Sequence, residues 1–296
     1  MIPTTAFAAD NEIATNPYPV SATNQKTFYR NGQLRESLPL RNGRRHGVVR
    51  AWHKNGKRAS EEPFKNGVLD GVCRQWSEAG RRLGEYQIVH GTGLQRAWHD
   101  NGKLNMEIWT VRGEFCGRNR VWLRDGTLLA ERFYLHGKAV SAAAYRAAVA
   151  KDKTLPKFRG KPANLAGKNR VKPLHIHRVF VDSFLEKHDQ REARKWLTKK
   201  VGDQTSRSLG RFKHERDATK FAEELYEAGA IEVIVPDIYR NKARDQFADC
   251  LLVQLPKSAA KRKSIRKVCG QLRTRKLGAV QPDADIGESH LYLSLT

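Results

Sequence analysis

Glycine recurs at a fixed interval through the first half of the chain, and this period constrains the fold more than any other feature. Gly32, Gly56, Gly80, Gly102 and Gly126 fall 24, 24, 22 and 24 residues apart. Three further series keep the same intervals in the same order, which indicates an internal repeat. They are Gly43, Gly67, Gly91, Gly113 and Gly137; Gly47, Gly71, Gly93 and Gly117; and the tryptophans Trp52, Trp76, Trp98 and Trp122.

Two of the glycine series mark turns. Half of their members follow asparagine, as in Asn31-Gly32 and Asn42-Gly43, and Asn-Gly adopts the positive φ values of a type I′ hairpin turn. Apolar and polar residues alternate between the turns, as in residues 48–52, which predicts short strands with one apolar face. Because a single hairpin cannot bury that face, the repeats must stack. We therefore predict a mainly β array of hairpins over residues 28–140.

The repeated residues also carry a family resemblance. The pattern aromatic-x-x-Asn-Gly-x-Leu, followed by Asn-Gly-x-x-x-Gly-x-x-x-x-Trp, resembles the MORN repeat (membrane occupation and recognition nexus) in its bacterial variant form, over residues 28–138. That group includes proteins labelled YwqK-type antitoxins. The resemblance implies a scaffold, a dimerisation surface, or a surface that binds protein or lipid. Ala79-Gly80, Asp125-Gly126 and a third repeat two residues short depart from the pattern and argue against a uniform surface.

Composition changes on both sides of the array. We expect residues 1–27 to be a flexible tail and the protein to be cytoplasmic; a secreted or periplasmic protein is the alternative, should a longer signal precede Thr5–Asp10. Residues 141–174 are expected to begin with a short alanine-rich helix and continue as a basic Pro/Gly-containing linker. Between 151 and 173 there are eight basic residues against Asp152 alone. This linker is either a self-repelling spacer or an arm that follows phosphates.

Residues 175–296 are predicted to form an α+β domain. A helix over 183–200 is followed by strand 206–213, helix 217–228, strands 230–236 and 247–255, helix 258–276 and strand 289–295. The order βαββαβ predicts a ferredoxin-like sheet of four antiparallel strands under two helices. No family resemblance covers this part.

The last predicted helix is the candidate anion-binding site. The formal net charge of the chain is +24, which attracts polyanions. This helix has no acidic residue, although a solvated helix normally gains from pairs of opposite charge. The candidate residues are Lys261, Arg262, Lys263, Arg266, Lys267 and Arg273.

The sequence shows no catalytic or cofactor motif, so we predict a protein that is not an enzyme and takes no cofactor or metal. His175 and His177 would share one face of a strand, but no third ligand is phased with them. The four cysteines lie far apart and form no Cys-x-x-Cys pair, which favours reduced thiols.

The functional hypothesis is a scaffold that binds another protein through the repeat surface, antitoxin-like in its narrower form. Two alternatives stay open: nucleic-acid binding through the basic linker and helix 258–276, and peripheral binding to an anionic membrane. Unpaired edges of the array also allow a homo-oligomer. For the four tryptophans we expect packing within the stack rather than contact with a ligand.

Overall fold

The computed structural model describes residues 24–187, 189–198 and 202–296. It divides into an N-terminal unit that extends to Arg170 and a C-terminal unit that comprises Val171–Thr296 and the short segment Arg30–Gln33. No helix in these ranges is long and apolar enough to cross a membrane.

The N-terminal unit is an antiparallel meander in which each long strand pairs with the next. The chain forms an eight-stranded sheet and then a six-stranded sheet. The strands are β1 (Asn24–Phe28), β2 (Leu34–Arg41), β3 (Arg44–Arg45), β4 (Gly47–Trp52), β5 (Arg58–Lys65), β6 (Val68–Leu69), β7 (Gly71–Trp76), β8 (Arg82–Ile88), β9 (Gly93–Trp98), β10 (Leu104–Val111), β11 (Glu114–Phe115), β12 (Gly117–Trp122), β13 (Leu128–Leu135) and β14 (Lys138–Val140).

The phased glycines occupy turns and bulges. The members of all three series have positive φ, as at Gly32 (77°) and Gly43 (73°). Both residues of Asn42-Gly43 have positive φ, as the predicted type I′ turn requires, whereas in Asn31-Gly32 only the glycine does, so the type I′ prediction is wrong for that turn. The third series also lies where strands approach closely: a β-carbon on Gly71 would come 2.7 Å from Pro63 Cγ. Those positions therefore need glycine for two reasons, its left-handed backbone and its lack of a side chain.

The two sheets meet between β8 and β9, in the repeat that is two residues short. In the part of the chain described, these strands form no continuous ladder, and only the bridge between Val89 and Thr92 joins them. The Gln75 side chain instead bonds both backbone groups of Trp98, donating to its carbonyl at 2.8 Å and accepting from its N–H at 3.0 Å. The Trp98 ring lies over Gly84, where an added β-carbon would come 2.2 Å from Cζ2.

The boundaries of the array differ from the predicted ones at both ends. β1 begins at Asn24, so residues 24–27 belong to the array rather than to a tail; residues 1–23 lie outside the described part. After β14 the predicted alanine-rich helix is present as α1 (Ala142–Lys151), capped by the Ser141 hydroxyl. The following residues are packed on the array, so the expected free linker over 141–174 is wrong for this stretch.

The C-terminal unit has a five-stranded antiparallel sheet with helices on both faces, and a smaller three-stranded sheet. Its elements are α2 (Pro173–Leu185), β15 (Arg191–Glu192), α3 (Ala193–Leu197), β16 (Arg207–Leu209), α4 (Glu215–Glu227), β17 (Glu232–Val235), β18 (Tyr239–Arg240), β19 (Gln246–Ala248), β20 (Cys250–Gln254), α5 (Ala259–Thr274), β21 (Ala279–Gln281) and β22 (His290–Ser294). A short 3-10 turn, Gly167–Asn169, precedes this unit.

The predicted helix over 183–200 is wrong, and the two cores show why. Phe184 and Leu185 end α2 and pack with Tyr292 on one face of the five-stranded sheet. Trp196 and Leu197 belong to α3 and pack with α4 and α5 in the main core. The apolar residues that suggested one stripe therefore serve two different cores. Residues 188 and 199–201 lie outside the described part.

The expected order of strands and helices is present, but the expected sheet is not. β17, β20 and β22 are neighbours in the five-stranded sheet, in the order β15-β17-β20-β22-β21. The first strand, β16, instead pairs in parallel with β19 in the small sheet. β22 consequently pairs directly with β20, from Cys250↔Ser294 to Gln254↔His290. The four predicted strands do not form one sheet.

Candidate binding surface

In three of the repeats, a side chain at the first turn bonds to the same turn of the next repeat. His53 Nε2 lies 2.9 Å from the Trp76 carbonyl oxygen, and His99 Nε2 lies 2.9 Å from that of Trp122. The Tyr29 hydroxyl makes the equivalent bond at 2.8 Å. The period of 22 or 24 residues thus aligns these donors with the carbonyls that they need.

Two lysines at this edge have the same structural role. Lys57 Nζ donates to the Ala79 carbonyl and Lys103 Nζ to the Asp125 carbonyl, both at 2.8 Å. These cations satisfy turn carbonyls of the following repeat. Both lysines therefore stabilise the stacking of the repeats, and their ammonium groups are not simply solvated.

The opposite edge is joined by a backbone bond at every repeat, with side-chain bonds such as that from the His90 N–H to Asp70 in addition. The N–H of Gly67 donates to the Arg45 carbonyl at 2.7 Å, and Gly91, Gly113 and Gly137 donate in the same way at 2.8, 3.0 and 2.9 Å. Every repeat is therefore fastened to its neighbour at both edges. Surface residues at equivalent positions are consequently held at a constant spacing.

Arginine and glutamate alternate across the strands, a feature that the sequence reasoning missed. Each arginine stands two residues before a phased tryptophan, and each lies directly opposite a glutamate on the next strand. We call these eight residues the Arg–Glu ladder. They pair in register as Arg50↔Glu61, Arg74↔Glu85, Arg96↔Glu107 and Arg120↔Glu131.

Ion pairs link the ladder within and between repeats. Arg50 Nε lies 3.2 Å from Glu61, and Arg74 lies 4.0 Å from the same carboxylate. Arg96 and Arg120 approach Glu107 to 3.1 and 2.5 Å. The phased Arg and Glu series could have been found in the sequence, because their spacing of 24, 22 and 24 residues equals that of the tryptophans.

Three arginines of the ladder are more exposed than two of its glutamates. The side chains of Arg50, Arg74 and Arg96 are 43, 39 and 40% exposed, and those of Glu61 and Glu107 are 15 and 10% exposed. Arg120 and Glu85 depart from this contrast, at 30 and 49%. Arg50, Glu61 and Arg74 line a shallow groove of about 370 Å³. The guanidinium groups of this groove are more exposed than its carboxylate, which favours an acidic partner.

The four tryptophans are half-buried, and none belongs to the fully buried core. Their environments differ: Arg120 lies 4.8 Å from the ring centroid of Trp122, and Arg58 lies 5.8 Å from that of Trp76. Packing within the stack thus accounts for part of each ring, and the remainder is accessible beside guanidinium groups.

A buried ionisable cluster lies inside the N-terminal repeats. Burial raises the pKa of Glu62 to about 7, against the attraction of Arg45, and Glu36 raises it further. The Tyr86 hydroxyl bonds the Cys73 sulfur, and burial raises the pKa of that thiol to about 12. Cys73 is therefore a protonated core residue rather than a nucleophile.

In the C-terminal unit, the candidate anion-binding arginines form ion pairs with acidic side chains that lie outside helix α5 in the sequence. Arg262 and Arg266 bond Asp285 and the fully buried Glu288, which lie in the loop before β22. Arg273 lies 3.1 Å from Asp283. Helix α5 is free of acids along its own sequence but not in its tertiary surroundings.

The three lysines of that candidate set are exposed, and within the described ranges none has a carboxylate within 4.0 Å. The aliphatic stem of Lys261 packs against Gly229, where an added β-carbon would come 2.9 Å from its Cδ. Three of the six candidate residues are therefore available to an anion.

The predicted pair His175 and His177 lies on a helix, α2, rather than on a strand, so the two rings do not share a face. His177 is buried and its Nε2 lies 2.8 Å from the His290 carbonyl. His175 contacts Arg178. No group of three His, Cys, Asp or Glu side chains placed to hold a metal occurs in the described part.

Comparison with known proteins agrees with the repeat geometry. A family model described as MORN repeat variant matches residues 24–42 and 45–66. No curated protein and no solved structure matches the chain. Residues 24–66 are therefore MORN repeats of the variant form, and the hairpins that follow them continue the same phased turns and bonds.

Proposed function

We propose that this chain is a non-enzymatic scaffold that binds an acidic protein along the Arg–Glu ladder. MORN repeats commonly bind proteins or membranes. The observation that carries the proposal is the ladder itself, because the bonds between turns hold exposed guanidinium groups at a fixed spacing beside half-exposed tryptophans. Arg and Trp are the residues most enriched at the energetic centres of protein interfaces.

The absence of an enzymatic role rests on how the reactive groups are used. Burial raises the pKa of the Cys73 and Cys269 thiols to about 12, so neither is a thiolate at neutral pH. Five of the acidic side chains described above are paired with arginines: Glu61, Glu107, Asp283, Asp285 and Glu288. These observations support a binding protein.

An antitoxin-like role is the narrower form of this proposal. It would require the partner to be an acidic toxin whose surface the array covers, and it comes from the resemblance to YwqK-type proteins. The exposed arginines of the ladder, Arg50, Arg74 and Arg96, fit such a partner. Copurification with the product of an adjacent gene would test this form separately.

We also propose that the C-terminal unit is a variant of the ferredoxin-like arrangement. Its elements follow one another as strand, helix, strand, strand, helix, strand, through β16, α4, β17, β20, α5 and β22. The displaced β16 is the departure. It pairs with β19, immediately before β20, and so lies beside the start of the strand that it would flank in the regular fold.

The test of the scaffold proposal compares two double variants by affinity purification and quantitative mass spectrometry. Arg50→Gln/Arg74→Gln removes two ladder charges, and Lys263→Gln/Lys267→Gln removes two exposed charges from α5. We expect one acidic protein to be lost with the ladder variant and retained with the control. Retention of every protein by both variants would refute the proposal, as would binding only to phosphatidylserine vesicles.

A further inference from the structure

The segment after the array forms a fixed basic surface at its C-terminal end. We define the basic cap as residues 142–163, which comprise α1 and the residues that follow it. These residues belong to the same compact unit as the repeats. The cap covers the last hairpin, which otherwise would expose its apolar face.

An aromatic cluster anchors the cap to the array. Phe158 lies 4.8 Å from Phe133 of β13 and 6.1 Å from Tyr145 of α1, measured between ring centroids. Two guanidinium groups lie close to the Phe158 ring, that of Arg118 at 5.4 Å and that of Arg146 at 5.1 Å. Tyr145 is fully buried.

Hydrogen bonds fix the backbone of the same segment. The Tyr145 hydroxyl donates to the Pro156 carbonyl at 2.9 Å, and Arg118 Nη1 donates to the Arg159 carbonyl at 3.0 Å. The Ala163 N–H donates to Glu131 at 2.8 Å. Residues 152–163 are therefore an ordered surface, and a ligand would not need to order a free arm.

The cap concentrates positive charge. Residues 151–161 contain five basic side chains and one acid, Asp152. That carboxylate is engaged by the Thr154 hydroxyl and N–H, which lower its pKa. In the described part of the chain, four exposed cations of the cap have no carboxylate within 4.0 Å: Lys151, Lys157, Arg159 and Lys161.

We propose that the basic cap binds the phosphate backbone of double-stranded nucleic acid without sequence preference. Exposed lysine and arginine side chains without carboxylate partners on an ordered surface can each contact a phosphate, and phosphate contacts carry no sequence preference. The apolar residues Leu155 and Phe158 face the array and offer no ring for stacking on unpaired bases. They also provide nothing that would insert into a lipid layer.

The test measures binding of the full chain to a short, mixed-sequence DNA duplex by fluorescence anisotropy, between about 50 and about 200 mM NaCl. Lys151→Gln/Lys157→Gln/Lys161→Gln neutralises the cap, and Lys263→Gln/Lys267→Gln/Lys276→Gln neutralises three exposed lysines of the C-terminal unit. The slope of log K against log salt is negative, and the cap variant should reduce its magnitude by about 2 to 3. The control should keep the slope of the wild type.

Three outcomes would overturn the proposal: no duplex binding by the wild type, an equal loss in both variants, or binding to vesicles of phosphatidylserine and phosphatidylcholine without binding to the duplex. Tighter binding to single-stranded DNA than to the duplex would also count against it. Circular dichroism of each variant confirms that the fold is retained, since all six lysines are exposed.

Discussion

Gly84 allows a direct test of how the two sheets of the array are joined. Its backbone is extended and does not require glycine for its φ. The ring of Trp98 does require it, because an added β-carbon would lie 2.2, 2.5 and 2.6 Å from Cζ2, Cε2 and Cη2. Ordinary carbon contacts are about 3.5 to 4.0 Å, so Gly84→Ala must displace the indole by at least about 1 Å.

Such overpacking typically costs about 1–3 kcal/mol, and we expect Gly84→Ala to lower the free energy of unfolding by that amount. Urea unfolding followed by far-UV circular dichroism measures it. Gly113→Ala is the matched control in the same unit: an added methyl group meets no atom within 4 Å there, but φ is 86°. It should cost about 1–2 kcal/mol through backbone strain alone.

A variant of Trp98 distinguishes overpacking at Gly84 from backbone strain at Gly113. Trp98→Leu removes the clash, so the loss in the Gly84→Ala/Trp98→Leu double variant should be smaller than the sum of the two single losses by about 1 kcal/mol or more. Gly113→Ala and Trp98→Leu should be additive. Wild-type stability of Gly84→Ala, or additivity with Trp98→Leu, would refute the packing argument.

Three further predictions concern charge and helix propensity. Burial raises the pKa of Glu62 from 4.5 to about 7, so the protonated carboxyl contributes its full stability below pH 4.5, and this contribution is lost as the pH rises through 7. The wild type should therefore lose on the order of 3 kcal/mol of unfolding free energy over this pH range, and Glu62→Gln should not. The same pH dependence of urea unfolding in both proteins would contradict this. Glu288→Gln leaves two arginines of α5 without their buried partner and should cost about 3 kcal/mol or more in the same assay, whereas Asp283→Asn, in a pair exposed at both ends, should change stability by less than about 0.5 kcal/mol. Gly270→Ala in α5, where a methyl group meets nothing within 4 Å, should stabilise the C-terminal unit by about 0.5–1 kcal/mol in thermal unfolding.

Local patterns predicted the parts of the fold that depend on local geometry. The type I′ turn at Asn42-Gly43 followed from Asn-Gly chemistry, whereas at Asn31-Gly32 only the position of the turn was predicted and its type was wrong. Helices α4 and α5 lie within two residues of their predicted bounds. The helix predicted over 183–200 failed because periodicity does not show which core an apolar residue joins. The basic patch on α5 was incomplete as a prediction, because Asp285 and Glu288 are distant in sequence and adjacent only after folding.

The period of the array can be read from local chemistry, since positive φ at phased glycines is a property of single residues and their immediate neighbours. The phased Arg and Glu series are also present in the sequence, although their pairing depends on strand register. That residues 152–163 form a cap rather than a linker depends on long-range packing, because Phe158 and Tyr145 meet Phe133 across the fold. The charged residues can be counted from the sequence, but whether a charge is available to a ligand depends on which groups packing brings together.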